Sequence, residues 1–375
     1  MRVGAGLAAI GSAAAQVRFA RRHQRPTGAW RDRPVEPRGA TRLGVSFRPR
    51  QAEAFGLDPE RTLQAILGYP FSIIRLAAYW DRIEQNGEFD YAELDRAIDA
   101  VCEAGRQIIC CVGAIKAFGY PEFFVPDRYQ REQFREGTLV TPDSHPRLTA
   151  AAAEFITRTV ERYRAVDAIM AWQVEHDAVD PLGVEHSWRL SDSFVQHEMD
   201  AVRAADATRP ILLNGFLPTS VPVAISQRWR TRGQGDSLDV AVRLADIVGI
   251  DYYPRHAVAR GIYLDGRGTS RPGRRSALAM AAAARGCRVM VVEGQAEPWE
   301  SVTVPPNRAG SVAFSCRPED IIDIYNDCLR WSSAGEPTLD AYLFWGAEYW
   351  LARAEAGDTA YLDAVGRVLS GSTLR

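Results

Sequence analysis

Met290-Val-Val-Glu-Gly-Gln-Ala-Glu-Pro-Trp299 carries the signal that decides the fold of this chain. Val289 to Val292 is a continuous apolar run, and Glu293 follows it one residue before Gly294. That is the pattern of a fully buried parallel strand that terminates in a carboxylate. In a closed barrel of parallel strands, such a carboxylate sits on the face where catalytic groups gather. Taken alone, Glu293 reads equally well as a strand-end acid that meets an arginine, so its partners have to be found elsewhere in the chain.

Working outward, similar short apolar runs occur at Leu43 to Phe47, Phe71 to Leu76, Gln107 to Val112, Ala168 to Val174, Ile211 to Asn214, Ile247 to Asp251 and Ala341 to Trp345. Helical spacing of apolar residues separates several of them: over Pro59 to Leu67, after Asp90, over Arg147 to Tyr163, over Asp192 to Ala205, and over Thr359 to Leu369. Eight strands alternating with helices, without a break in composition, predict an α/β protein. The architecture expected is a single (β/α)8 barrel over residues 41–375 rather than a doubly wound sheet with a second domain. Gly113 to Pro146, after the third strand, holds Phe118, Tyr120, Phe123, Phe124 and Tyr129 and is expected as a long loop over the site, because a loop of that length in a compact domain is usually functional. Residues 1–40 read as an N-terminal arm or a weak signal-like segment. Val3 to Val17 is Ala/Gly rich, precedes the basic Arg18, Arg21 and Arg22, and is too short to span a bilayer, so both a cytoplasmic and an exported location are open.

Composition narrows the partners. A net charge of -2 with arginines spread among acids gives no electrostatic footprint for nucleic acid. No integral membrane segment is read. The six cysteines have no metal-ligand or redox spacing and read as reduced core residues. Motifs for zinc proteases, serine hydrolases and phosphate loops are absent, so no cofactor is implied; a metal site would need His176, His186 or His256 to converge with an aspartate. Nine Trp and thirteen Tyr, several just after strand patterns, suit stacking on a carbohydrate or glycoside.

If the strands are parallel, one mouth receives Arg75, His176, Asp177, Asn214, Asp251 with Tyr252 and Tyr253, Glu293 and Trp345. An acid after the fourth strand facing one at the seventh is what glycoside cleavage needs: one carboxyl protonates the leaving oxygen while the other attacks or stabilises the sugar carbon. Arg75 beside a carboxylate would keep it ionised, as a nucleophile requires.

The runs Arg75-Leu-Ala-Ala-Tyr79-Trp80, Trp172-Gln-Val-Glu-His-Asp177, Ile250-Asp-Tyr-Tyr-Pro254, Glu293-Gly-Gln-Ala-Glu297-Pro-Trp299 and Leu343-Phe-Trp-Gly-Ala-Glu-Tyr-Trp350 together resemble the cellulase-like and β-galactosidase-like barrels of glycoside hydrolase clan A. The resemblance implies a retaining glycosidase with Glu293 as nucleophile and the residue at position 177 as acid/base. It also implies that Arg75 and Tyr253 bond the nucleophile and that Trp345 floors a sugar site, with Tyr79, Trp80, Asn214, Glu297 and Trp299 as further substrate-binding candidates. One departure stands out: His176-Asp177 occupies the place of Asn-Glu. An Asp carboxyl sits about 1 Å further back than a Glu carboxyl, a displacement that can cost about a hundredfold in rate. Three assignments stay open: Asp177 as a shortened acid/base, His176 as the proton donor, or a site that binds sugar without hydrolysing it. Transglycosylation on the same fold is a further alternative. Glu175 is a weaker candidate, expected on the Asp177 side and one layer deeper.

Overall fold

The computed structural model describes residues 16–19, 28–119, 123–130, 137–180, 188–219, 221–231, 235–259, 262–267, 272–298, 315–333 and 339–371. Eight strands form a closed barrel: β1 (Arg42–Ser46), β2 (Ile73–Ala77), β3 (Gln107–Cys111), β4 (Ile169–Gln173), β5 (Ile211–Phe216), β6 (Ile247–Tyr252), β7 (Arg288–Gln295) and β8 (Ala341–Trp345). Each strand pairs in parallel with its chain neighbours, and β8 closes on β1. The (β/α)8 barrel expected from the alternation is therefore the fold.

Parallel neighbours need a crossover, and helices supply it. These are α1 (Pro59–Leu67), α2 (Ala92–Glu103), α3 (Pro146–Tyr163), α4 (Asp192–Ala205), α5 (Ser237–Leu244), α6 (Pro272–Ala284), α7 (Pro318–Ser333) and α8 (Ala360–Ser370). Local chemistry starts several of them. Asp58 and Ser191 accept the amides of Arg61 and Phe194 as N-caps, and Asp236 with Asp239 forms a capping box for α5. No helix is read from the sequence over α5, α6 or α7; α6 is rich in alanine all round, which leaves little periodic contrast to detect.

Strand alternation splits the core in two. Ile73, Ile109, Ala171, Leu212, Ile247, Met290, Val292, Ala341 and Leu343 point inward and fill the barrel. Their neighbours face outward under the helices, as Ile74, Ile108, Trp172, Leu213, Val248, Val291 and Phe344 do. Filling the interior with bulky side chains leaves only the two ends for chemistry.

Near the N-terminus, Val17–Phe19 pairs antiparallel with Ile262–Asp265, which pairs in turn with Arg255–Ala259. The 3-10 turn Gly28–Asp32 buries Trp30 among the core side chains. All six cysteines are free thiols. Among the described residues no helix is long and apolar enough to cross a membrane.

Candidate active site

The C-terminal ends of β2, β4, β5, β6 and β7 bring their polar side chains into one buried cluster. Inward positions follow from period two: Ile73 then Arg75, Ala171 then Gln173, Leu212 then Asn214, Ile247 then Asp251. On β7 the same rule fails, since Met290 and Val292 point inward and strict alternation would aim Glu293 at the helices. The register between β6 and β7 shifts so that Ile250 pairs Val291 but Asp251 pairs Glu293, and a matching shift faces β8. This bulge turns Glu293 inward, a recurrent use of bulges beside active sites. β7 also continues to Gln295, so Glu293 lies inside the strand rather than just past it. Gly294 is needed here, because a Cβ would sit 2.2 Å from the Tyr342 ring.

Glu293 is the hub of the cluster. Arg75 Nη1 donates to its Oε1 at 2.7 Å, Tyr253 OH donates to its Oε2 at 2.8 Å, and His176 Nε2 lies 3.0 Å from Oε1. Burial by itself pushes this carboxyl up, but the charges of His176 and Arg75 and their hydrogen bonds outweigh it and bring the group down to about 2. Burial works against the His176 imidazolium, and the facing Glu293 and Asp177 overcome that and raise it above its ordinary value. Tyr253 is pushed well up by burial and by Glu293, so it stays a phenol and a donor.

Behind the hub runs a hydrogen-bonded chain. Arg75 Nε donates to Gln173 Oε1 at 2.7 Å, Gln173 Nε2 to Asn214 Oδ1 at 3.0 Å, and Asn214 Nδ2 to Asp251 Oδ2 at 2.6 Å. Asp251 is raised well above the usual carboxylate range by burial first and then by Glu293 and Asp177. Asn214 thus spends both ends of its amide on protein groups. His176, Asp251 and Glu293 also bring one ligand atom each within 4.8 Å of one another, a set able to hold a metal ion. Both oxygens of Glu293 are, however, already engaged by Arg75 and Tyr253.

After Gln173 the chain leaves the barrel in a strained turn. Glu175 and Asp177 have φ of 58° and 46°, left-handed values that cost non-glycine residues energy. Glu175 is accordingly not one layer below Asp177: its carboxylate turns aside to accept the amides of Ile115, at 2.9 Å, and Lys116. Alternation ends where the strand does, which is why that expectation fails. Asp177 is buried and raised, by burial above all and by Glu293 against the lowering effect of His176 and Lys116. Its Oδ1 has no hydrogen-bond partner among the described residues.

Aromatic side chains cover this polar floor. Ala117, Phe118 and Phe124 from the long loop after β3 pack with Tyr79, Phe216, Tyr253 and Trp345 into one cluster. Phe118 lies 4.0 Å over the Arg75 guanidinium and meets Trp345 edge-on. Trp345 is backed by Arg48 at 4.2 Å, and Arg48 is clamped by Glu297 and Glu348. Glu297 therefore acts behind the Trp345 ring, its oxygens taken by Arg48. Tyr79 joins the aromatic cluster but commits its hydroxyl to the Phe118 carbonyl at 3.0 Å. Trp80 does not join it. Its ring is fully buried on the outer side, stacked on Phe155 of α3 with Nε1 bonded to Glu84, because it opens a short helix that leaves the strand end. Trp299 lies outside the described residues.

Solved structures resemble this barrel. The glycoside hydrolase GH5_18 from Streptomyces cattleya, in complex with GlcNAc, aligns with a TM-score of 0.54 at 14% identity, over 89% of this chain and 81% of that one. The AHE enzyme from Alicyclobacillus herbarius aligns with a TM-score of 0.52 at 15% identity, over 86% and 98%. A β-galactosidase from the haloarchaeon Halorubrum lacusprofundi aligns with a TM-score of 0.50 at 16% identity, and this chain spans 58% of its length. The fold shared with these structures is the closed (β/α)8 barrel. At such identities the likeness is one of fold, and no family model or curated protein matches the sequence.

Of the groups in this cluster, Gln173 and Lys116 are not marked as site residues by the sequence, and Asp251 is marked without its partner. Gln173 had a usable signal, the inward parity it shares with Ala171, whereas Asp251 was visible at the mouth without any sign of its link to Asn214. Lys116 gave no positional signal, since it stands in a loop.

Proposed function

We propose that the protein is a retaining glycoside hydrolase acting on a carbohydrate or glycoside. The observation that carries this reading is Glu293, buried yet ionised, with its charge held by Arg75 and His176 and its second oxygen by Tyr253. A carboxylate kept as an anion at the centre of a mouth lined by aromatic rings suits attack on an anomeric carbon. Asp177 is the better acid of the two open choices: burial favours its protonated form, and one of its oxygens has no protein partner among the described residues, whereas His176 faces Glu293 directly. In the first step a Glu293 oxygen bonds to the anomeric carbon as the glycosidic bond breaks, and Asp177 gives its proton to the leaving oxygen. In the second, Asp177 takes a proton from water, the water oxygen bonds to the anomeric carbon, and Glu293 is released. His176 steadies the nucleophile's charge, and Trp345 supplies an apolar face for a sugar ring.

Intact-mass spectrometry after incubation with activated 2-deoxy-2-fluoro glycosides tests this directly. The expected result is a covalent adduct in the wild type that is missing from Glu293→Gln. No adduct across a broad panel, from folded protein, overturns the nucleophile assignment.

A further inference from the structure

Of the 45 lysine and arginine residues in this chain, one alone is a lysine, and it is Lys116. Its side chain is fully buried. At every other basic position the chain uses a guanidinium, including the buried Arg48, Arg75 and Arg255. The setting of Lys116 differs from theirs. Arg48, Arg75 and Arg255 each reach a carboxylate, which matches the planar fork of arginine. The Lys116 ammonium instead donates to two main-chain carbonyls, those of Asp177 and of Asp180, the latter at 2.7 Å. Two converging carbonyls in a closed space suit a compact ammonium with rotatable donors.

The backbone of the same residue grips the same turn. Lys116 N–H donates to Glu175 Oε2, and the Lys116 carbonyl accepts from His176 N at 2.6 Å. One loop residue therefore holds Glu175, His176, Asp177 and Asp180 together. Within that span lie two of the three described non-glycine residues with positive φ. Strain of this kind persists only where surrounding bonds over-determine it.

We propose that Lys116 is a positioning residue: its ammonium, locked on the carbonyls of Asp177 and Asp180, holds the left-handed turn that presents His176 and Asp177 to Glu293. The role given to Asp177 rests on the hydrolase reading above; the hold on the turn does not. Losing the ammonium lets the turn relax toward ordinary backbone angles, which moves the Asp177 carboxyl while leaving Glu293, on its own strand, in place.

Lys116→Met and Lys116→Arg, both shown to be folded by circular dichroism, are the test, and either alone suffices if the other does not fold. Hydrogen exchange of peptides covering residues 172–180 reads the turn without any activity. Exchange at His176 and Asp180 should speed up by about tenfold or more, with the rest of the barrel unchanged. Unchanged exchange overturns the proposal. The kinetic arm compares kcat/KM for glycosides with good and poor leaving groups. The poor one, which needs the acid, should fall on the order of a hundredfold, and the good one by only a few-fold. An equal fall in both overturns a positioning role for the acid and leaves Lys116 a structural prop. A wild type that is inactive and forms no fluoro-glycoside adduct defeats the hydrolase reading, and exchange then decides the hold on the turn by itself.

Discussion

Replacing Arg75 by methionine removes the cation beneath Glu293 while keeping much of the stem's volume. Arg75 Nη1 is 2.7 Å from Glu293 Oε1 with both side chains almost wholly buried, and its Nε proton goes to Gln173. With charge centres about 4 Å apart and an effective dielectric of about 20, the attraction is roughly 4 kcal/mol. A second route gives a similar figure. Glu293 stands at about 2 against an ordinary 4.5, a shift that at about 1.4 kcal/mol per pH unit amounts to about 3–4 kcal/mol, the net of His176 and Arg75 against burial. One-sided loss of a buried pair costs about 3–5 kcal/mol, so Arg75→Met should lose about 3 kcal/mol at pH 7. In a Glu293→Gln background the loss should be smaller by about 2 kcal/mol. Urea unfolding of the wild type, both single variants and the double variant measures that coupling. The folded-state pKa of Glu293 is depressed, so its contribution is present above its unfolded value near 4.5 and disappears as pH falls towards about 2. The stability gap between wild type and Glu293→Gln should close over that interval. A coupling below about 0.5 kcal/mol, with a gap insensitive to acid, would refute the account of the nucleophile's charge.

Three further outcomes are expected. The folded-state pKa of His176 is raised, so its contribution is complete below its unfolded value of 6.5 and is lost as pH rises through the folded one; stability measured from about pH 6 to 9 should decline in the wild type and flatten in His176→Asn, and coincident curves would exclude the charged contact with Glu293. Gly113→Ala places a Cβ 2.0 Å from the Glu175 nitrogen, which forces the strained turn to move. Urea unfolding should show a loss of about 1–3 kcal/mol, and a wild-type stability would mean the turn is not packed on β3's end. Trp345→Ala removes the ring that Arg48 backs, and KM for a glycoside should rise about tenfold with a smaller change in kcat; an unaltered KM would remove Trp345 from the sugar site.

The sequence by itself determined the architecture, because each strand and most helices announce themselves by local periodicity, and eight alternations leave few ways to bury every apolar face. It also determined which strand ends carry Arg75, His176, Asp177, Asn214 and Glu293, since position at a strand end is a local property. Tertiary structure decided where those side chains point and what they bond. Glu293 faces inward only because the β6–β7 register slips by one residue, and register belongs to the neighbouring strand as much as to β7. Trp80, a plausible stacking ring in the sequence, turns outward into the space offered by α3, and Glu297 is consumed by Arg48, 249 residues away in the chain. Lys116 and Glu175 meet across 59 residues to hold a turn that neither segment's own pattern encodes. Periodicity records which face of an element is buried; the partner a polar group finds there is set by residues far away in sequence, and only the closed barrel brings them within a hydrogen bond's reach.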